Sequence, residues 1–138
     1  MGTVGGASGG AGKTGDGFLV QVTVGEQVLA TRVRPARSMW GRFRGLMGRS
    51  RLDDGEGLWL PGDASIHMLF MRFAIDAVFL AATDQPGTWR VVVIRERLRP
   101  WRDVVWWVRG AKGCLEVEAG AARAVGLRAG DTVRFDPA

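Results

Sequence analysis

Apolar and polar positions alternate from Phe18 to Val24. Phe18, Val20, Val22 and Val24 lie on one side, and Leu19, Gln21 and Thr23 on the other. A period of two predicts a half-buried strand. Gly25-Glu26 reads as a turn and Gln27 to Val33 as the returning strand of a hairpin. From Pro35 to about Gly48, Met39, Phe43, Leu46 and Met47 recur at helical spacing, which predicts a short helix. Glycines at 41, 45 and 48 weaken it by about 1 kcal/mol each relative to alanine. Gly57 to Leu60 is a short apolar strand that stops at Pro61-Gly62. Ser65 to Met71 and Ala77 to Thr83 read as two strands, with Arg72 to Asp76 between them. Both faces are apolar, so at least one of the two is central to a sheet. Trp89 to Leu98 is the longest β-branched run. Val104 to Val108 reads as a strand whose adjacent Trp106 and Trp107 point to opposite faces. Cys114 to Val117 and Thr132 to Phe135 are further strands, and Ala121 to Val125 makes about one helical turn. Seven to nine short strands and two small helices predict a mainly β (α+β) domain. Its core is a largely antiparallel sheet or open barrel.

Composition narrows this picture. A chain of 138 residues, 46% hydrophobic, is one domain with enough apolar surface for a core. Seven of the first fifteen residues are glycine, so 1–17 reads as a flexible tail before a domain spanning 18–138. Within the tail, Ala7-Ser8-Gly9-Gly10-Ala11-Gly12-Lys13-Thr14 fits a relaxed phosphate-loop pattern. A working phosphate loop follows a buried strand and opens a helix. The six residues MGTVGG cannot form that strand, which argues against nucleotide hydrolysis. A single cysteine, Cys114, cannot form an internal bridge, which fits a reducing compartment. No apolar run approaches the roughly 20 residues that span a bilayer, and no apolar leader opens the chain. The expectation is a soluble cytoplasmic domain with no membrane partner.

Charge adds a class of partner. The net charge is +5, and of nineteen basic residues only Lys13 and Lys112 are lysine. The arginines concentrate in 32–51 and 90–109. Such a balance favours a nucleic acid, a phosphorylated metabolite or an acidic protein. A GC-rich genome writes the same arginine excess with no function attached.

Four constellations bear on chemistry. His67, Asp76 and Cys114 have the residue types of a base, an orienting acid and a nucleophile, although a cysteine in an apolar strand is usually a small hydrophobe. The same His67 and Cys114 with a carboxylate would make only a partial metal shell, since no paired-ligand spacing is present. No metal or cofactor is expected. Asp76 lies among Ile75, Ala77, Val78 and Phe79 and needs a partner if buried; Arg49 and Arg72 are the expected ones, in a structural ion pair or beside a ligand. Six tryptophans with no tyrosine include the Trp106-Trp107 pair beside Arg102 and Arg109. An exposed tryptophan there would stack a nucleobase or anchor a protein; a buried one would simply fill core.

Several separated patches carry a resemblance. They are Arg44-Gly45-Leu46-Met47-Gly48-Arg49, Ile66-His67, Met71-Arg72-Phe73-Ala74-Ile75-Asp76-Ala77-Val78-Phe79-Leu80, Pro100-Trp101, Cys114-Leu115-Glu116 through Ala119-Gly120, Gly126-Leu127 and Gly130-Asp131. In this order they resemble the DUF192 family, a bacterial and archaeal domain of unknown function, from about residue 28 onward. The resemblance implies a single β-rich domain and no particular chemistry. Two departures stand out: Ala74 where relatives often carry proline, and His67, which matches one branch of the family.

The reading that follows is a non-enzymatic binding or accessory module for an anionic ligand or partner. Its ligand-facing residues would be Arg44, Arg49, Arg72, Asp76, His67 and Trp101. The alternative is a small hydrolase-like enzyme with a pocket around His67, Asp76 and Cys114.

Overall fold

The computed structural model describes residues 20–36, 49–69 and 71–137. The predicted tail (1–17) and nearly all of the predicted Pro35–Gly48 helix lie outside them; Pro35 itself ends a strand. In chain order the strands are β1 (Val20–Val24), β2 (Gln27–Pro35), β3 (Glu56–Pro61), β4 (Ile66–His67), β5 (Ile75–Ala82), β6 (Thr88–Leu98), β7 (Val104–Val105), β8 (Gly113–Glu118) and β9 (Thr132–Pro137). One short helix, α1 (Ala121–Ala124), lies between β8 and β9.

Seven strands close a barrel in the order β1-β2-β3-β8-β5-β6-β9, with β9 pairing back onto β1. The mainly β, largely antiparallel fold expected from the sequence is present, and its barrel is closed rather than open. Closure comes from β9, which pairs Arg134 with Thr88 of β6 and with Thr23 of β1. All ladders are antiparallel except β2 with β3, which run parallel from Arg32↔Glu56 to Pro35↔Trp59. Gly25, at φ +59, takes the first place of the two-residue β1–β2 turn, a backbone conformation that glycine adopts without strain.

Alternation along β5 divides the apolar residues into two cores. Val78 and Leu80 face the barrel interior with Val22, Val33, Leu115 and Val133. Ile75, Ala77 and Phe79 face outward, into a second core with Leu58, Leu60, Met68, Val105 and Cys114. This explains why β5 is buried on both faces from Ile75 to Ala81. The outer core is covered by a narrow ribbon in which β4 pairs with β7.

The strand expected over Ser65–Met71 contracts to Ile66–His67, and the turn expected to end at Asp76 ends earlier, with Asp76 inside β5. The strand expected over Val104–Val108 stops at Val105.

Candidate functional site

The ribbon over the outer core carries most of the large exposed hydrophobic side chains among the described residues. Ile66 faces Val105 and His67 faces Val104 across it. Its pairing continues beyond the strands: Met68 N–H donates to Asp103 O at 2.9 Å, Trp101 N–H to Met68 O at 2.8 Å and Val108 N–H to Ala64 O at 2.8 Å. Ile66, Met68, Val105 and Val108 turn inward and are buried. Other apolar side chains of the ribbon remain exposed. Trp101 is 56% exposed, Trp106 81% and Trp107 75%, joined by exposed Leu69 and Val104.

Adjacent Trp106 and Trp107 were expected to split between core and solvent, as residues of one strand must. Both are exposed, because β7 ends before them and strand alternation no longer applies. Large apolar side chains left exposed along one short segment point to an interaction surface. Arg102 and Arg109, also exposed, flank it.

The tryptophan at the ribbon tip is held in an uncommon backbone conformation. Trp101 has φ +66, in a turn where Pro100 takes the second place and Arg102 N–H reaches Arg99 O at 3.3 Å. A bulky residue at positive φ costs about 1–3 kcal/mol and persists only where its surroundings enforce it. The Trp101 N–H is held by Met68 O, and Asp103 braces the start of the turn. Its carboxylate accepts the Arg99 backbone N–H at 2.6 Å and both Nε and an Nη of the Arg99 side chain at 3.1 and 2.9 Å. The Arg99 guanidinium and then its backbone N–H hold the Asp103 carboxyl down at about 2.

The remaining sequence candidates separate. Asp76 is fully buried, but neither Arg49 nor Arg72 is its partner. Its Oδ1 accepts the Arg97 N–H at 2.8 Å, and its Oδ2 accepts the N–H groups of Gly120 at 3.0 Å and Ala122 at 3.1 Å. Backbone donors satisfy the carboxylate where an arginine was expected. They come from residues 21, 44 and 46 positions away, which local sequence cannot show. Arg49 instead pairs with Glu56, at 2.6 Å through one Nη, and with Asp53 at 3.5 Å. Its hydrogen bond is the main reason the Glu56 carboxyl lies below the usual range. Arg72 is exposed, and Arg44 lies outside the described residues.

His67 is half-buried, opposite Val104, with Nδ1 accepting the Leu69 N–H at 3.3 Å. Cys114 is fully buried in the outer core, opposite Phe79 and Leu60. Asp76 lies on the other face of β5, with Val78 and Leu80 toward the barrel interior. The sheet itself therefore stands between Asp76 and Cys114, and the three residues do not form a nucleophile–base–acid array. Among the described residues no three His, Cys, Asp or Glu side chains converge in a metal-ligating group, and no helix is long and apolar enough to cross a membrane.

Comparison with known proteins agrees with this architecture. The family model described as Uncharacterized ACR, DUF192, matches residues 20–135. A UPF0127 protein of Thermococcus sibiricus is 34% identical over 123 residues, covering 86% of this chain and 75% of its own. A UPF0127 protein of Pyrococcus furiosus is 34% identical over 121 residues, covering 86% and 97%. The crystal structure of a protein of unknown function from Novosphingobium aromaticivorans superposes with a TM-score of 0.68 at 24% identity, covering 94% of this chain and 99% of that one.

Proposed function

The chain belongs to the DUF192 family, whose description assigns no chemistry, and on that premise we propose from its surface that it is a binding module for single-stranded nucleic acid. The observation that carries the reading is the ribbon: three tryptophans between 56% and 81% exposed, with Arg102 and Arg109 beside them. Single-strand binders combine cationic groups that track phosphates with aromatic faces that stack bases. Every base offers a stacking face, so no base-reading side chain is required. The net charge of +5 favours the same partner at long range. The Asp103 clamp on Arg99 keeps the Trp101 turn in one shape, which lowers the entropy lost on binding.

The test is titration of the full chain with an oligothymidylate, followed by tryptophan fluorescence. Quenching should saturate, and log affinity should fall against log salt with a slope of about −1.4 for two neutralised phosphates. Replacing Trp106 and Trp107 by alanine should weaken binding about tenfold or more, since each stacked base contributes about 1–3 kcal/mol. Binding that ignores salt, or the loss of both tryptophans, overturns the proposal. Salt-insensitive capture of a protein through the same tryptophans would assign the ribbon to a protein partner instead.

A further inference from the structure

The two ends of the barrel differ. At one end α1 folds across, placing Ala122 and nearby Leu127 in the inner core, with Asp76 holding the first turn of α1 by two hydrogen bonds. At the other end the described residues leave an opening that contains a cavity of about 680 Å³. Its walls are the rings of Trp59, Trp89 and Phe135, which tilt against one another with centroids 4.9 to 5.9 Å apart. Its rim is formed by Pro35, Pro61 and Pro137, the last residues of β2, β3 and β9.

We propose that this open end is a binding site for an uncharged, planar, largely apolar small molecule that carries a hydrogen-bond acceptor. The site is independent of the tryptophan ribbon and shares none of its residues.

Each part of that description follows from the lining. The volume lies within the range of about 300–1,000 Å³ typical of small-molecule sites. Among the described residues no charged side chain lines the cavity, so an ion entering it would lose water and gain no partner. Flat ring walls favour a flat ligand, in offset or edge-on contact. Neither the Trp59 nor the Trp89 indole N–H donates to a protein acceptor among the described residues, which leaves two donors for a ligand's acceptor. A peptide adding as a further strand is disfavoured, because the three rim prolines have no N–H to offer it. The rim is also pre-shaped, since proline fixes φ. Trp59 is fixed from behind as well: its ring lies so close to Gly113 that any Cβ there would overlap it.

The experiment titrates the full chain with 6-propionyl-2-(dimethylamino)naphthalene, an uncharged planar probe whose ketone accepts a hydrogen bond. Fluorescence should rise to saturation with one site per chain. An anionic naphthalene probe, anilinonaphthalene sulfonate, should bind about tenfold more weakly or worse, which is about 1.4 kcal/mol. Val20→Trp, which fills the cavity, and Trp89→Ala, which removes one wall, should each raise the dissociation constant about tenfold. Trp106→Ala should leave it within about twofold, which separates the cavity from the ribbon. Should either cavity variant fail to fold, the wild-type chain still decides: the Trp59 and Trp89 indole resonances should shift on adding probe while those of Trp106 and Trp107 stay in place. Absence of saturable binding, equal affinity for the anion, or a response confined to the ribbon tryptophans would overturn the proposal.

Discussion

Replacing Asp76 tests the structural account most directly. Its carboxylate is fully buried and accepts three backbone N–H groups, from Arg97, Gly120 and Ala122, at 2.8 to 3.1 Å. Two of these donors belong to the start of α1, whose N-cap, Gly120, has no side chain to cap it. The third lies at Arg97, whose φ of +54 is held where the N–H meets the carboxylate. Asparagine at position 76 has the same shape but only one acceptor oxygen. Turned toward α1, that oxygen keeps two bonds, and its NH₂ then confronts the Arg97 N–H, donor against donor. A buried donor left without a partner costs about 1–3 kcal/mol, more where the acceptor was a carboxylate. Asp76→Asn should therefore cost about 2–3 kcal/mol, and Asp76→Ala, which abandons all three, about 3–5 kcal/mol. For a domain of this size each kcal/mol lowers the melting temperature by about 3–5 °C, so Asn should cost roughly 10 °C. Thermal melts by circular dichroism measure this. Amide hydrogen exchange should quicken at Arg97 in Asp76→Asn, and at Arg97, Gly120 and Ala122 in Asp76→Ala. Exposed Arg72→Ala, the control, should stay within about 0.5 kcal/mol. If Asn melts within about 2 °C of the wild type, the three-donor account is wrong.

The Arg49–Glu56 pair makes stability depend on acid. The Glu56 carboxyl is lowered in the folded chain, so its contribution is complete above the unfolded value of about 4.3 and lost as pH falls through the folded one. Melting temperature should decline below pH ~4, and Glu56→Gln should flatten part of that decline. Asp103 should titrate at about 2 by carboxyl NMR, and Arg99→Ala should move the midpoint up toward about 3.9. Gly113→Ala should drive the Trp59 ring from its seat, cost about 1–3 kcal/mol and change the tryptophan emission spectrum; an unchanged spectrum with an unchanged melt would refute the contact.

Most strands were legible in the sequence because their signal is local. The alternation in β1, the β-branched run of β6 and the continuous apolar run of β5 are each displayed by a few neighbouring residues. The lone acid Asp76 in an apolar run was legible too, as a group that must be satisfied if buried. Its partners were not, because they are backbone donors delivered by β6 and α1, and every residue type carries such a donor. Barrel closure was equally hidden: it depends on β9 meeting β1 across the whole chain, and pairing partners leave no local period. The tryptophans show the same division. Composition revealed that they were many, and alternation placed Trp106 and Trp107 on opposite faces. The tertiary structure ended β7 at Val105, before either of them, and so exposed both, while it turned Trp59 and Trp89 into the walls of a cavity. The sequence by itself determined which segments extend and which faces are apolar, since those are properties of neighbouring residues. Only the tertiary structure decided which apolar faces found a core, because burial is settled by what lies opposite.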